Sequence, residues 1–281
     1  MWKFDSNLIM IFLLIIAGIY GGIGFFLLNL FTETIFITGF VLLFFIMVLI
    51  HGYKTLGPRE ILFFFLIAYS VAMLYEYTDG LGFGELVHCK PYYSNILGPK
   101  FLGKIPYVIP LVWTISFYCA FTMTNIIFNR LKTTRESTET ISRHWVVKII
   151  GMSIVSGLMM ASWDLICDPV MVKIGAWSWS YSGSYYGIPL WNYEGWVEIP
   201  AVIFFIFSLY MCKIKKNQIY ISGDKQSQYT LLVVLLYIAL LVIYIMYAIY
   251  LEVSYSIPWA ALTMGPIAAL TIVCFYRSLS K

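Results

Sequence analysis

The chain has 281 residues, of which 61% are apolar and only 11% charged, with a formal net charge of +4. A soluble domain carries about 25% charged residues, so an ordinary water-soluble fold is excluded. The basic residues are scattered over short segments and do not gather on one face, which excludes a nucleic-acid surface.

A bilayer core is spanned by about 20 apolar residues. On that measure the sequence predicts helices over 8–29, 34–50, 60–78, 105–128, 146–165, 196–212, 229–251 and 257–276. The second is short and the fourth carries Pro106 and Pro110 near its start, so the count is seven or eight. The first apolar segment is long enough to span and lacks a small-residue cleavage site, so it reads as a retained helix. The expected fold is all-α: a polytopic helical bundle in the lipid bilayer, with residues 1–281 forming a single transmembrane domain.

With eight spans, fourteen of the 18 Lys and Arg fall on the side of the termini and the even loops. Lys90, Lys100, Lys104 and Lys173 fall on the other. Basic loops stay on the cytoplasmic side, so the expected location is a cell membrane with both termini cytoplasmic. The loops 129–145 and 213–228 are polar connectors. The loops 79–104 and 166–195 are aromatic and rich in Gly and Pro, and are expected to cap the bundle, since irregular backbone at membrane depth must be buried in protein. The order acid, acid, Tyr-Tyr, Gly, Ile-Pro, Trp occurs in both, which suggests a parallel internal repeat of 60–128 and 146–212.

No phosphate-binding glycine loop, no G-x-S-x-G and no H-E-x-x-H is present. His51, His88 and His144 are isolated, and His51 and His144 read as interfacial residues. Three scattered histidines do not suit membrane iron chemistry, so no metal site is expected. The five cysteines form no C-x-x-C pair. Cys89 and Cys167 fall near the same side, and their pairing is left open.

The carboxylates are more informative. Glu76, Asp79, Asp164, Asp168, Glu194 and Glu198 lie at the ends of apolar spans, where acids are expensive and functional by default. An acid in apolar surroundings keeps its proton more readily and can act as a general acid. Asp164 and Asp168 are four apart, so a helix continuing to Pro169 puts both on one face. Paired acids suit a division of labour in which one is protonated and its neighbour ionised. The competing structural reading is that both accept hydrogen bonds from the indoles of Trp177 or Trp179, and that Asp168-Pro169 terminates the helix. Trp177, Trp179, Trp191 and Trp196 crowd one loop, and their ring faces can hold a flat polyene or stabilise a cation.

The run Asp164…Asp168-Pro169…Gly175-Ala176-Trp177-Ser178-Trp179…Tyr185-Tyr186-Gly187-Ile188-Pro189…Asn192-Tyr193-Glu194-Gly195-Trp196 resembles the integral-membrane carotenoid hydratase family. That family includes carotenoid 1,2-hydratases and bisanhydrobacterioruberin hydratase. Glu76-Tyr77…Tyr92-Tyr93…Ile105-Pro106…Trp113 fits it less specifically, and the resemblance covers about 60–210. It implies an enzyme, without organic cofactor or metal, that adds water across the terminal C1=C2 bond of an acyclic carotenoid. Position then suggests roles: Asp164 as acid, with Asp168 or Glu76 orienting water. The substrate-lining set is Asp79, Tyr92, Tyr93, Trp113, Trp177, Trp179, Tyr185, Tyr186, Asn192, Glu194 and Trp196. A non-catalytic polyisoprenoid binder is the alternative. A proton-coupled transporter fits less well, because the acids lie at one end of the bundle.

Overall fold

The computed structural model describes residues 6–28, 30, 32–78, 91–130, 143–180, 182–215 and 227–279. Among them are eight helices long and apolar enough to cross a membrane. They are α1 (Ser6–Gly22, continued by a π-helical turn Ile23–Leu27), α2 (Thr34–Thr55), α3 (Pro58–Thr78), α4 (Val108–Arg130), α5 (Arg143–Lys173), α6 (Trp191–Lys215), α7 (Ser227–Tyr250) and α8 (Ile257–Leu279). Helix is imposed by the solvent, because in hydrocarbon every backbone N–H and C=O must be satisfied within the segment. Side-chain hydroxyls obey the same constraint: Thr114, Ser116 and Thr122 donate to the carbonyls of Pro110, Val112 and Tyr118 one turn back.

Helices α4 and α5 form the centre. Of their spans 67% and 61% is buried, against 28% for the first and last spans. The outer helices turn Phe12, Leu62, Leu66 and Leu262 outward, as a lipid-facing surface requires. His51 departs from its expected interfacial place. It lies in α2, fully buried, with Nδ1 2.6 Å from the hydroxyl of Tyr118 on α4, which also bonds Thr55 at 3.1 Å. The side chain of His144 and all of His88 lie outside the described residues.

Two helix boundaries differ from the sequence expectation. Helix α5 does not stop at 165 but runs through Pro169 to Lys173, and α6 begins at Trp191 instead of 196. The expected loop 166–195 therefore shrinks to 174–190. Proline lacks the N–H that would bond the carbonyl four residues back, so Pro169 frees the Leu165 carbonyl. The Tyr185 hydroxyl donates to that carbonyl at 2.8 Å, and the helix continues. A double-mutant cycle tests this. Tyr185→Phe should cost about 1 kcal/mol in the wild-type background and close to nothing beside Pro169→Ala, which restores the missing donor, as read from thermal unfolding in detergent.

Pro200 repeats the arrangement in α6, freeing the Trp196 carbonyl, and there the backbone of α5 closes in. A Cβ at Gly157 would lie 2.8 Å from both the Trp196 carbonyl oxygen and the Val197 Cα. Only glycine allows α5 and α6 this approach. Gly157→Val is expected to lower stability by about 1–3 kcal/mol through overpacking, visible as a lowered unfolding midpoint.

At one end of the bundle the two aromatic loops join. Strand β1 (Pro91–Tyr93) pairs antiparallel with β4 (Trp177–Trp179), placing Tyr93 opposite Trp177 and Tyr92 opposite Ser178. The Ser94 amide extends the ladder to the Ala176 carbonyl at 2.9 Å. Between them in sequence, β2 (Lys100–Phe101) and β3 (Ile105–Pro106) form a small hairpin. Strand pleat puts Tyr93 and Trp177 on the inner face and Tyr92 and Ser178 on the outer. The two Tyr-Tyr pairs have different local structures: Tyr92-Tyr93 is strand, whereas Tyr185-Tyr186 lies in a tight turn with Tyr186 at φ +51°.

Candidate active site

Helix periodicity builds the centre of the site. With α5 continuous through Pro169, Asp164 and Asp168 project from one face one turn apart. Both are 3% exposed. On the facing helix α6, Asn192 and Trp196 are likewise one turn apart and meet them. The Asn192 amide donates 2.8 Å to Oδ2 of Asp164 and 2.8 Å to Oδ2 of Asp168, bridging the two carboxyls. The Trp196 indole donates 2.6 Å to the same oxygen of Asp164, and the Trp177 indole donates 3.1 Å to Oδ1 of Asp168. The two carboxyl groups lie within electrostatic reach of each other.

A third buried carboxyl lies on α3. Glu76 is 5% exposed, and the hydroxyl of Tyr93 on β1 donates to it while lying within electrostatic reach of Asp168 and Asp164. Burial, then the charge of Glu76, pushes the Tyr93 phenol well above its ordinary value of about 10. Burial, then the neighbouring Tyr186 and Asp168, moves Tyr185 the same way. Both phenols are neutral hydrogen-bond donors. The β1–β4 ribbon thus also reaches the acids, because its inner residues Tyr93 and Trp177 each hydrogen-bond a carboxyl.

Aromatic rings continue the wall. Trp113 of α4 lies 4.5 Å from Trp196, centroid to centroid, and 6.2 Å from Tyr75. Tyr93 meets Trp177 edge to face at 6.1 Å. The Trp179 indole nitrogen is buried with no hydrogen-bond partner among the described residues. On the side of α5 that faces α7, Trp163 packs edge-on against Tyr244 at 5.7 Å, and the free thiol of Cys167 bonds the Tyr244 hydroxyl at 3.3 Å. Cys89 lies outside the described residues.

The expected site residues separate into groups. Glu76, Asp164, Asp168, Tyr93, Trp113, Trp177, Asn192 and Trp196 converge, and Trp179 flanks them. Tyr185 stands beside the cluster, but its hydroxyl is taken up by the Leu165 carbonyl. Tyr92 is 67% exposed on the outer face of its strand, and Tyr186, 49% exposed, stacks on Tyr255 at 4.1 Å. Glu194 and Glu198 are exposed on α6, so neither closes the polar wall expected of Glu194. Asp79 lies outside the described residues. Tyr193 and Tyr75 are not among the expected residues, yet both border the acids. The signal for Tyr193 is the helical phase of α6, which a loop reading of 191–195 conceals, whereas Tyr75 already lies in the expected helix 60–78, next to Glu76. Among the described residues no group of three or more His, Cys, Asp or Glu is arranged to hold a metal ion.

Between α5 and α6 an apolar groove of about 380 Å³ opens on the outer surface, lined by Ile150, Ile154, Val197, Ala201 and Phe205 among others. Val197, one of its lining residues, also packs against Gly157.

A family model described as carotenoid biosynthesis protein matches residues 36–265. The chain belongs to the carotenoid biosynthesis protein family. The match takes in α2 from Phe36 onward, all of α3 to α7, the β1–β4 ribbon and all the converging acids. No curated protein and no solved structure matches the chain. Membership of this family and eight apolar helices together make it a multi-pass membrane protein of carotenoid biosynthesis.

Proposed function

We propose that the chain is a cofactor-independent carotenoid hydratase, adding water across the terminal C1=C2 double bond of an acyclic carotenoid. The observation that supports it best is the pair Asp164 and Asp168, buried, bridged by one amide and surrounded by indoles. Alkene hydration needs a proton donor, a wall that tolerates a cation, and a base for water. Asp164 gives its proton to C2, the C1=C2 π electrons form the new C–H bond, and a tertiary cation remains at C1. Ring faces of Trp113, Trp177 and Trp196 stabilise that cation. Water adds to C1, its proton passes to Asp168, and proton exchange between the two neighbouring carboxyls restores Asp164. The sum is substrate plus one water.

Glu76, held by Tyr93, adds a further carboxyl to the wall. The groove lined by Val197 and its neighbours offers an apolar seat to the rest of a long hydrocarbon. In this reading the chain sits in the cell membrane with both termini cytoplasmic, and the acids lie at the opposite end. Extracts of a host that makes an acyclic carotenoid and expresses this chain should contain a product heavier by one water. Pigment of unchanged mass, co-purifying with the protein, would instead favour the binder. That second reading draws on the hydrogen bonds already made by Asp164 and Asp168, which a purely structural pair would also make.

A further inference from the structure

The Tyr193 hydroxyl is buried and has no hydrogen-bond partner among the described residues. Buried polar atoms in native proteins are paired with protein or with ordered water, so this atom points to a small polar occupant. Its neighbourhood specifies what kind. Tyr193 follows Asn192, the residue that bridges the two acids. Its ring is met edge to face by Tyr185 at 5.7 Å, and Tyr185 is itself fixed to the Leu165 carbonyl on α5. Tyr193 is thereby held beside α5 through Tyr185, with its hydroxyl within electrostatic reach of both carboxyls.

The Trp179 indole nitrogen, also buried and unpartnered among the described residues, can only donate. A phenol both donates and accepts. A carboxyl group has about four lone-pair positions, and the Asp168 oxygens receive one indole and one amide donor, so Asp168 can accept more.

Resting on the hydratase reading, we propose that Tyr193 is a catalytic residue that, together with Asp168, holds the attacking water. The water donates one hydrogen to Asp168 and the other to the Tyr193 oxygen. Both of its lone pairs then remain free, and one forms the C–O bond to C1. The proton released goes to Asp168, and the phenol is unchanged at the end of the cycle. Tyr193 acts after protonation, so its loss should divert the cation instead of preventing its formation. A cation without water loses a proton and returns to alkene.

The experiment uses the full chain in membranes supplied with an acyclic carotenoid in D₂O, with mass analysis of both alcohol and recovered alkene. Tyr193→Phe keeps the ring and removes only an atom with no partner among the described residues. It should lower alcohol yield about tenfold or more while deuterium still enters the recovered alkene at the end group. Asp164→Asn should lose both signals. Alcohol at the wild-type level in Tyr193→Phe overturns the assignment. Parallel loss of alcohol and deuterium also overturns it, because Tyr193 would then serve protonation or packing. If the unaltered chain gives neither alcohol nor deuterated alkene, the hydratase reading itself fails and this role with it.

Discussion

Replacing Asp164 by asparagine should lower the yield of hydrated carotenoid by at least about a hundredfold, and by up to about ten-thousandfold, the range supplied by a positioned general acid. The substitution is nearly isosteric. The asparagine side-chain oxygen can still accept from the Trp196 indole, which lies 2.6 Å from the carboxyl, so the helix contact survives. What is lost is the transferable proton. Unchanged expression and an unchanged unfolding midpoint in detergent would confine the effect to chemistry. A variant that hydrates at the wild-type rate would remove Asp164 from the mechanism.

Asn192→Leu is expected to reduce hydration by about 10- to 100-fold. One amide makes two hydrogen bonds of 2.8 Å, one to each acid. Hydrogen bonds to charged groups are worth about 1.5–3 kcal/mol each, and about 1.4 kcal/mol corresponds to tenfold in rate. Leucine has similar volume but no donor, so the acids lose the group that fixes their separation. Glu194→Gln is the companion measurement. Glu194 is two residues away but exposed, and its substitution should leave product yield unchanged. Equal losses from both variants would show that the start of α6, and not the bridging amide, is what matters.

Several parts of this arrangement are legible in the sequence. The spacing of Asp164 and Asp168 places them on one helical face provided the helix reaches Pro169, and it does. The competing reading, acids accepting from an indole, also describes something real: Trp177 donates to Asp168. The two readings are compatible, because the hydrogen bonds a structural acid accepts are also those that would orient a catalytic one.

Other parts are not legible, for identifiable reasons. Pro169 reads as a terminator in one dimension. Only the fold supplies Tyr185, sixteen residues on, to satisfy the carbonyl that proline leaves free. Read as loop, 191–195 gives Asn192, Tyr193 and Glu194 no helical phase. Glu194 is then grouped with the site although α6 turns it outward, and Tyr193 draws no notice. Tyr92 and Tyr93 are indistinguishable in the sequence, and strand pleat sends one outward and the other to Glu76. His51 reads as an interfacial residue because a polar side chain near a span end usually reaches water. A tyrosine on α4 buries it instead.

By itself the sequence determined the class of this protein. Apolar runs of bilayer length admit hardly any structure but helices, and acids among them are retained only where something holds them. Which acids meet, and what holds them, was decided by the tertiary structure. The helices are apolar around their whole circumference, so no stripe in the sequence says which face turns inward. That choice is made by close backbone approach at Gly157, by the pairing of β1 with β4, and by the few donors that reach buried oxygens.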